Sequence, residues 1–417
     1  MSDQHTGSDG GPAGARSEAY AVGLLRSMLQ IPSPSYGEQK LAAHLVRSMR
    51  EMGFSARVDA AGNAVGEIVR GSGPTVMLLG HMDTVPGDIP VRIEDNRLYG
   101  RGAVDAKTPL ATMICAAADA SAFRGRIVVV GAVEEETPLS RGAMHVRETH
   151  ERPDALIIGE PSGWETVVLG YKGKLDLRYQ VRCPSTHPSN PVPKASELVC
   201  EAWPVLLELL GPDVGHGRFD TPGPTLVSVS GDITEAEAEF SVRTPIGYDS
   251  EGLVARLAER LDTERGRLQV VNSVAAVRVG RADPVVRALS GAIRAQEAQP
   301  VLKVKTGTSD MNTLAEKWDV PMATYGPGDS RLDHADDEHV QLSDFLRGVD
   351  VLTRALVDLG ERLAPRTEPS ARRLSLIGTA AEASTAIHPS ISAISSPSAI
   401  SSPSAASSPS ATDGASA

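Results

Sequence analysis

The chain of 417 residues is long enough for two domains of ordinary size, each with its own core. Its 41 Lys and Arg residues are outnumbered by 53 Asp and Glu residues, and the formal net charge of -12 argues against a nucleic-acid binder or a membrane-surface protein. The three cysteines show no CxxC spacing, residues 1–16 lack the apolar core of a signal peptide, and no run approaches the ~20 apolar residues of a membrane span. We therefore expect a cytoplasmic protein without a disulfide framework or a thiolate zinc site.

Helices and strands are predicted to alternate through the first part of the chain, after a Gly- and Ser-rich leader at residues 1–16 that we expect to be disordered. Hydrophobic spacing predicts helices, a hairpin and three buried strands. The helices lie at 17–29, 41–53 and 109–120, the hairpin at 56–69, and the strands at 76–79, 127–133 and 155–158. Histidine or acidic residues follow each of these strands. Functional sites in open α/β sheets lie just outside such strand ends, so we expect one here.

A different pattern begins near residue 170. The elements predicted there follow the order β-α-β-β-α-β, which indicates a small α+β module. They lie at 174–182, 195–210, 225–230, 237–243, 250–265 and 268–271. The α/β pattern resumes at 284 and ends with an amphipathic helix at 343–363. We therefore predict an α/β catalytic domain at 17–169 and 281–363 with a mixed, largely parallel sheet, interrupted by a ferredoxin-like lid or dimerisation domain at 170–280.

The end of the chain has a biased composition. Ser, Ala and Pro dominate, and Ser-Ser-Pro-Ser-Ala recurs at 395, 401 and 407. Such a segment cannot bury a core, so we expect a disordered tail at 364–417. A Pro- and Ser-rich docking peptide is the alternative.

The first strand-end motif is His81-Met82-Asp83, directly after an apolar run and Gly80. Residues two apart point the same way, so His81 can bind a metal ion while Asp83 orients its ring. The alternative is a pair that caps a loop, because short motifs are common by chance.

Further acids and a histidine give this motif its partners. Imidazole and carboxylate without thiolate suit Zn²⁺, Co²⁺ or Mn²⁺. The candidate residues are His81, Asp83, Asp105, Glu134, Glu135, Glu136, Glu160 and His334. They are enough for two ions that share a carboxylate, with one acid left as a base, which is the chemistry of amide hydrolysis. Any one of them alone would be read as a solvated strand-end residue.

These motifs resemble the dinuclear metallohydrolase family of acetylornithine deacetylase, succinyl-diaminopimelate desuccinylase, aminoacylase and carboxypeptidase G. The likeness runs through residues 17–363. It implies two divalent ions, Zn²⁺ or Co²⁺, with Mn²⁺ as the alternative. Matched position by position, it implies His81 and Glu160 as ligands of one ion, Glu136 and His334 as ligands of the other, and Asp105 as the bridge.

The same resemblance implies the remaining catalytic roles. Asp83 would orient His81, and Glu135 would be the general base, although the chain has Glu134 where the family has Asp. His187 would polarise the scissile carbonyl across a homodimer formed through the lid, and Arg243 would bind a substrate carboxylate. By themselves, His187 would be a surface loop residue and Arg243 an ordinary charge on an edge strand.

Two motifs, at 158–175 and 307–312, look similar to hydrolases that release lysine or ornithine from the C-terminal glutamate of an acidic LysW-type amino-group carrier protein. That likeness implies the carrier as substrate, with Lys172 and Lys174 at its acidic surface and Ser309 in substrate binding. A small-molecule N-acyl amino acid deacetylase or a dipeptidase would use the same catalytic set. A non-catalytic carrier-binding protein with this fold is a third alternative.

Overall fold

The computed structural model describes residues 18–364. The predicted leader lies outside this range, as does the predicted tail apart from Ala364. The helices are α1 (Glu18–Leu29), α2 (Gln39–Glu51), α3 (Lys107–Asp119), α4 (Arg141–Thr149), α5 (Ala195–Leu210), α6 (Ser250–Arg260), α7 (Pro284–Arg294), α8 (Asp310–Ala315) and α9 (Leu342–Leu363), with a 3-10 helix at Ser330–Leu332. None of these helices is both long enough and apolar enough to span a lipid bilayer.

Within residues 18–364, the strands form three sheets. They are β1 (Ser55–Val58), β2 (Ala64–Arg70), β3 (Thr75–His81), β4 (Arg92–Glu94), β5 (Arg97–Tyr99), β6 (Gly125–Ala132), β7 (Ala155–Gly159), β8 (Thr166–Tyr171), β9 (Gly173–Arg182), β10 (Gly223–Gly231), β11 (Glu235–Thr244), β12 (Gly266–Val274), β13 (Val277–Arg278), β14 (Val301–Lys305), β15 (Met322–Thr324) and β16 (His339–Gln341).

The largest sheet has nine strands in the order β1-β2-β6-β3-β7-β15-β8-β13, with β14 paired to β8. Its middle strands β6, β3, β7 and β15 run parallel, whereas β1, β2 and β13 pair antiparallel. Strand β3 is buried on both faces, because Val76 and Leu78 pack into one hydrophobic core and Met77 and Leu79 into another. Burial on both faces explains its uninterrupted apolar sequence.

The second sheet contains four antiparallel strands in the order β10-β11-β9-β12. Leu175, Leu177 and Tyr179 alternate on the face of β9 that packs into the core with α5 and α6. The mixed α/β fold with an inserted β-α-β-β-α-β module confirms the predicted fold class. This second sheet spans residues 173–274, which is narrower than the predicted lid at 170–280. The ends of the predicted range belong to β8 and β13 or border on them, and both strands are part of the larger sheet.

One buried amide holds the two chain segments that connect these sheets. The chain leaves the large sheet at Lys172 and returns to it after Ala275. Asn312 Nδ2 donates to the carbonyl oxygens of both residues, at 3.0 and 2.9 Å, and its Oδ1 accepts from the Ser309 amide. Both of its N–H donors and its carbonyl oxygen therefore have partners within the fold.

Helices α4 and α8 and strand β14 were not predicted, and three further details differ from the sequence prediction. Helix α6 ends at Arg260 rather than Arg265, because Asp262 Oδ1 accepts the amides of Glu264 and Arg265 and forms a turn. Strand β8 was not predicted, since its apolar run is too short to distinguish a strand from a buried helix. The three-stranded sheet β16-β5-β4 was also not predicted.

Candidate active site

Three neighbouring parallel strands end at the same edge of the large sheet. His81 is the last residue of β3 and is paired in register with Ala132 of β6, while Gly80 is paired with Gly159 of β7. The acids Glu134 to Glu136 follow β6, and Glu160 follows β7. The expected site at the strand ends therefore has a structural basis in the register of these strands.

Asp105 lies between two imidazole rings. Its Oδ1 is 3.1 Å from His81 Nε2, and its Oδ2 is 3.2 Å from His334 Nε2. Glu160 Oε1 lies 4.0 Å from His81 Nε2, and Glu136 Oε1 lies 2.9 Å from His334 Nε2. Each imidazole thus has a carboxylate of its own and shares Asp105 with the other.

The donor atoms fit divalent cations. One group of His81, Asp105 and Glu136 and another of His81, Glu135 and Glu160 each offer ligand atoms that all lie within 4.8 Å of one another. Nitrogen and carboxylate oxygen are the ligands that zinc and related ions prefer. The structure therefore contains a candidate metal centre formed from predicted residues.

Burial makes this cluster of acids electrostatically costly. Burial, with repulsion from Asp105, raises the pKa of Glu160 to about 8. Burial, with the charge of Glu160, also raises the pKa of Glu135. The hydrogen bond to Asp105 is the main reason that the pKa of His334 rises to about 9. Closely spaced carboxylates of this kind are compensated when cations lie between them.

Asp83 holds both the histidine and the acidic loop. Its carbonyl oxygen accepts from His81 Nδ1 at 2.9 Å, and its Oδ1 lies 3.5 Å from the same nitrogen. Because a carbonyl can only accept, Nδ1 carries a proton, and in the neutral ring Nε2 is left to bind a metal ion. The carboxylate also accepts the amides of Glu135 and Glu136, both at 3.0 Å, and the Ser35 hydroxyl at 2.8 Å. Asp83 thus contacts His81 mainly through its main chain, whereas the sequence suggested its side chain.

The three consecutive acids point in different directions. Glu134 forms an ion pair with Arg141, with 2.6 Å between Glu134 Oε1 and Arg141 Nη2. Its amide donates to Glu38 Oε1 at 3.1 Å. Glu135 and Glu136 belong to the candidate ligand groups instead. This arrangement is consistent with the middle acid as the base, since Glu134 is held by Arg141.

A cavity of about 510 Å³ lies beside the acidic loop. Glu135, Glu136 and Ser309 line it from the part of the chain built on the large sheet, and Lys174 and Arg243 line it from the inserted module. Both carboxylates belong to the candidate metal centre, so a molecule in this cavity would lie next to that centre.

The predicted substrate-binding residues of the cavity differ in their contacts. Arg243 is half-buried and donates to the Thr308 hydroxyl. Burial lowers the pKa of its guanidinium, and the nearby carboxylates of Asp176 and Glu135 partly offset that shift. Ser309 is buried, and its hydroxyl accepts the Met311 amide at the start of α8. The guanidinium of Arg243 is therefore the better placed of the two to bind an anionic substrate group.

Lys172 does not lie where the sequence suggested. Its side chain is fully buried, and Nζ donates to the carbonyl oxygens of Arg218 and Thr221. It therefore holds the segment that precedes β10 and cannot meet the surface of a carrier protein, which corrects the expectation. Lys174 lines the cavity and forms an ion pair with Asp176 at 2.8 Å.

His187 is exposed on the loop after β9 and is not among the residues that line the cavity. Its Nδ1 lies 2.7 Å from the Ser189 hydroxyl. Within one subunit, the structure therefore does not bring His187 into the site. Its predicted contribution across a dimer remains a prediction.

Two buried acids near the site were overlooked in the sequence. Asp310 at the start of α8 is buried, and its pKa rises to about 7 because of burial, partly offset by the nearby His81. Glu338, four residues after His334, is also buried. Asp310 lies in the motif at 307–312 but was given no role there, and nothing in the sequence separates Glu338 from surface acids.

Comparison with known proteins identifies relatives over most of the chain. The model of peptidase family M20/M25/M40 matches residues 77–358. The LysW-lysine hydrolase of Deinococcus radiodurans is 44% identical over 353 residues, which cover 81% of this chain and 96% of that protein. A putative LysW-lysine/LysW-ornithine hydrolase of Thermococcus kodakarensis is 38% identical over 84% of this chain and 96% of its own length. The crystal structure of a metallo-carboxypeptidase from Sulfolobus solfataricus has the same fold, with a TM-score of 0.68 and 19% identity over 83% of this chain and all (100%) of that one.

Proposed function

We propose that this chain, which belongs to peptidase family M20/M25/M40, hydrolyses the amide between the C-terminal glutamate of a LysW-type carrier protein and lysine or ornithine. The chain is a hydrolase of that family. The observation that carries the proposal is the position of Asp105 between His81 and His334, each with a further carboxylate beside it. The two LysW hydrolases named above support this choice of substrate, because the alignment with this chain covers 96% of the length of each.

The candidate ligands divide into two sets around Asp105. His81 and Glu160 would hold one divalent ion, His334 and Glu136 would hold the other, and Asp105 would bridge them. When bound there, a pair of such ions lowers the pKa of a shared water molecule and polarises the amide carbonyl of the substrate. The donor set suits Zn²⁺ or Co²⁺, with Mn²⁺ as the alternative.

The protein side chains would supply proton transfer and orientation. Glu135 would take a proton from the attacking water while the water oxygen bonds to the carbonyl carbon. It would then deliver that proton to the departing amine as the C–N bond breaks. Burial and the neighbouring Glu160 raise the pKa of Glu135, which suits a group that must both accept and release a proton. Arg243 would hold the α-carboxylate of the departing amino acid.

The proposal includes a homodimer formed through the inserted module. Strand β10 is at the edge of the second sheet and exposes Val227 and Val229. An edge strand with exposed apolar side chains is suited to pairing with another chain. A second subunit would also be needed to bring a His187 to the cavity, where its imidazole would donate to the developing oxyanion. A cytoplasmic location remains a prediction.

The decisive experiment compares substrates. The purified metal-loaded protein is incubated with a carrier that bears lysine or ornithine on the γ-carboxyl of its C-terminal glutamate, and separately with acetylornithine and acetyl-lysine, and products are measured by mass spectrometry. We expect release of the free amino acid from the carrier and none from the Glu135→Gln variant. Cleavage of the acetylated amino acids alone would instead identify a deacetylase. Tight carrier binding without metal or hydrolysis would identify a binding protein.

A further inference from the structure

Glu338 is a buried carboxylate that binds the loop leading to Asp105. Its side chain is 1% exposed. Oε1 accepts the amides of Val104 and Asp105 at 2.7 and 3.0 Å, and Oε2 accepts the Gly102 amide and Arg101 Nη1, both at 3.0 Å. Both oxygens are therefore occupied by donors from one short loop, more than 230 residues away in sequence.

This loop depends on outside contacts for its shape. Gly102 has a φ of 84°, and a Cβ at that position would lie 2.9 Å from Thr84 Cγ2, so the turn requires glycine there. The main chain of Glu338 also accepts the Gly100 amide at 3.2 Å. Several amides thus converge on one residue, an arrangement in which a carboxylate fixes the main chain of an irregular segment.

The segment that carries Glu338 also carries a candidate metal ligand. His334 lies four residues earlier, and its Nε2 is 3.2 Å from Asp105 Oδ2. The two residues approach Asp105 from different sides, His334 through the carboxylate and Glu338 through the amide at 3.0 Å. A shift of this segment would therefore move the bridge and one of its imidazoles together.

We propose that Glu338 is a positioning residue that fixes the Asp105 carboxylate between His81 and His334, so that metal binding at the two positions is interdependent. This inference rests on the proposed function, since it takes Asp105 as the bridge between two ions. The charge of Glu338 is balanced by Arg101, whose side chain is 12% exposed. A carboxylate is required, because the amide NH2 of glutamine is itself a donor and would face two of these donors, so glutamine could not accept all four hydrogen bonds.

The test measures metal binding rather than activity alone. In Glu338→Gln, we expect the affinity for both zinc equivalents to fall together by about 10- to 100-fold, the effect typical of residues that orient metal ligands. Affinity is measured by chelator competition with zinc counted by mass spectrometry, and folding by circular dichroism of the metal-free protein. The kcat should fall more than KM rises, and excess zinc should restore part of it. Glu338→Asp, which keeps the charge, should recover part of the affinity, and it decides the question if Glu338→Gln does not fold.

Asp283→Asn is the matched control. Asp283 accepts the amides of Val285 and Val286 at the start of α7 and that of Met322 at the start of β15, the sheet edge opposite the site. The Asp283→Asn variant should be less stable than the wild type but should bind zinc with the same affinity. The inference is overturned if a folded Glu338 variant binds both zinc ions with wild-type affinity, or if only one zinc position is weakened. If the wild type binds two interdependent zinc ions but cleaves no carrier conjugate, the proposed substrate fails while this inference stands.

Discussion

Replacing Asp83 with alanine tests whether this residue organises the site without binding metal itself. The change removes the acceptor of the Glu135 and Glu136 amides and of the Ser35 hydroxyl. Each amide left without a partner in a buried place costs about 1–3 kcal/mol, so the two together cost about 2–6 kcal/mol. A protein of ordinary stability, about 5–15 kcal/mol, survives the lower part of that range. We therefore expect a folded but less stable protein.

The effect on the metal centre should be larger than the effect on the fold. His81 keeps its hydrogen bond to the main-chain carbonyl of residue 83, whereas Glu135 and Glu136 lose the acceptor that positions their amides. Residues in this role typically contribute a factor of about 10–100 in metal affinity or rate. Asp83→Asn keeps one oxygen acceptor and should show a smaller loss on both measures.

Chelator competition, zinc counting and steady-state kinetics on the same preparations measure these effects, with chemical denaturation for stability. Ser35→Ala is the control, because it removes only the hydroxyl donor and should cost about 0.5–1.5 kcal/mol with little change in zinc affinity. Asp83→Ala with wild-type zinc affinity and wild-type kcat would refute the reasoning, whatever its stability.

Four further outcomes are expected. Glu135→Gln should lower kcat by about 10²- to 10⁴-fold, as measured by steady-state assay, with both metal ions retained in zinc analysis, because it removes only the proton-transfer group. Arg243→Lys should raise KM in the same assay, because an ammonium cannot bind a carboxylate through two parallel hydrogen bonds. Lys174→Glu should raise KM for a carrier conjugate but not for a small acyl-lysine, because only the carrier presents an acidic surface to this position. In the metal-free protein, stability measured by thermal melting should fall as the pH rises from about 5 to 9. The reason is that the folded-state pKa values of Glu160, about 8, and His334, about 9, lie above their ordinary values of 4.5 and 6.5.

Each of these outcomes has a contrary result. Loss of metal from Glu135→Gln would show that Glu135 is a ligand. An unchanged KM in Arg243→Lys would show that Arg243 does not bind the substrate carboxylate. Equal effects of Lys174→Glu on both substrates would exclude a carrier contact. The sign of the pH effect follows from proton binding, because groups with a raised pKa bind more protons in the folded state and lose that stabilisation as the pH rises. Stability that increased with pH in the metal-free protein would show that the acids are not packed as described.

The residues at the strand ends could be predicted because they follow from local pattern. An apolar run defines a buried strand, and in a parallel sheet its last residue must lie near the last residues of its neighbours, which places His81 beside Glu136 and Glu160. The contacts of Lys172 and Glu338 could not be predicted in this way. Each depends on partners far away in sequence, and a lysine or glutamate carries no local sign of whether it is buried. His187 illustrates a further limit, since its role depends on a second subunit.

The amide of Asn312 gives the inserted module a mechanical constraint. Its two hydrogen bonds hold both places where the chain crosses between the sheets, at Lys172 and Ala275. The Lys172 carbonyl also accepts from the Thr308 hydroxyl, which in turn accepts from Arg243 in the cavity. The guanidinium that lines the cavity is thus two hydrogen bonds from one of these crossings. A rigid rotation of the module that kept both Asn312 hydrogen bonds would have to turn about the line between the two crossings.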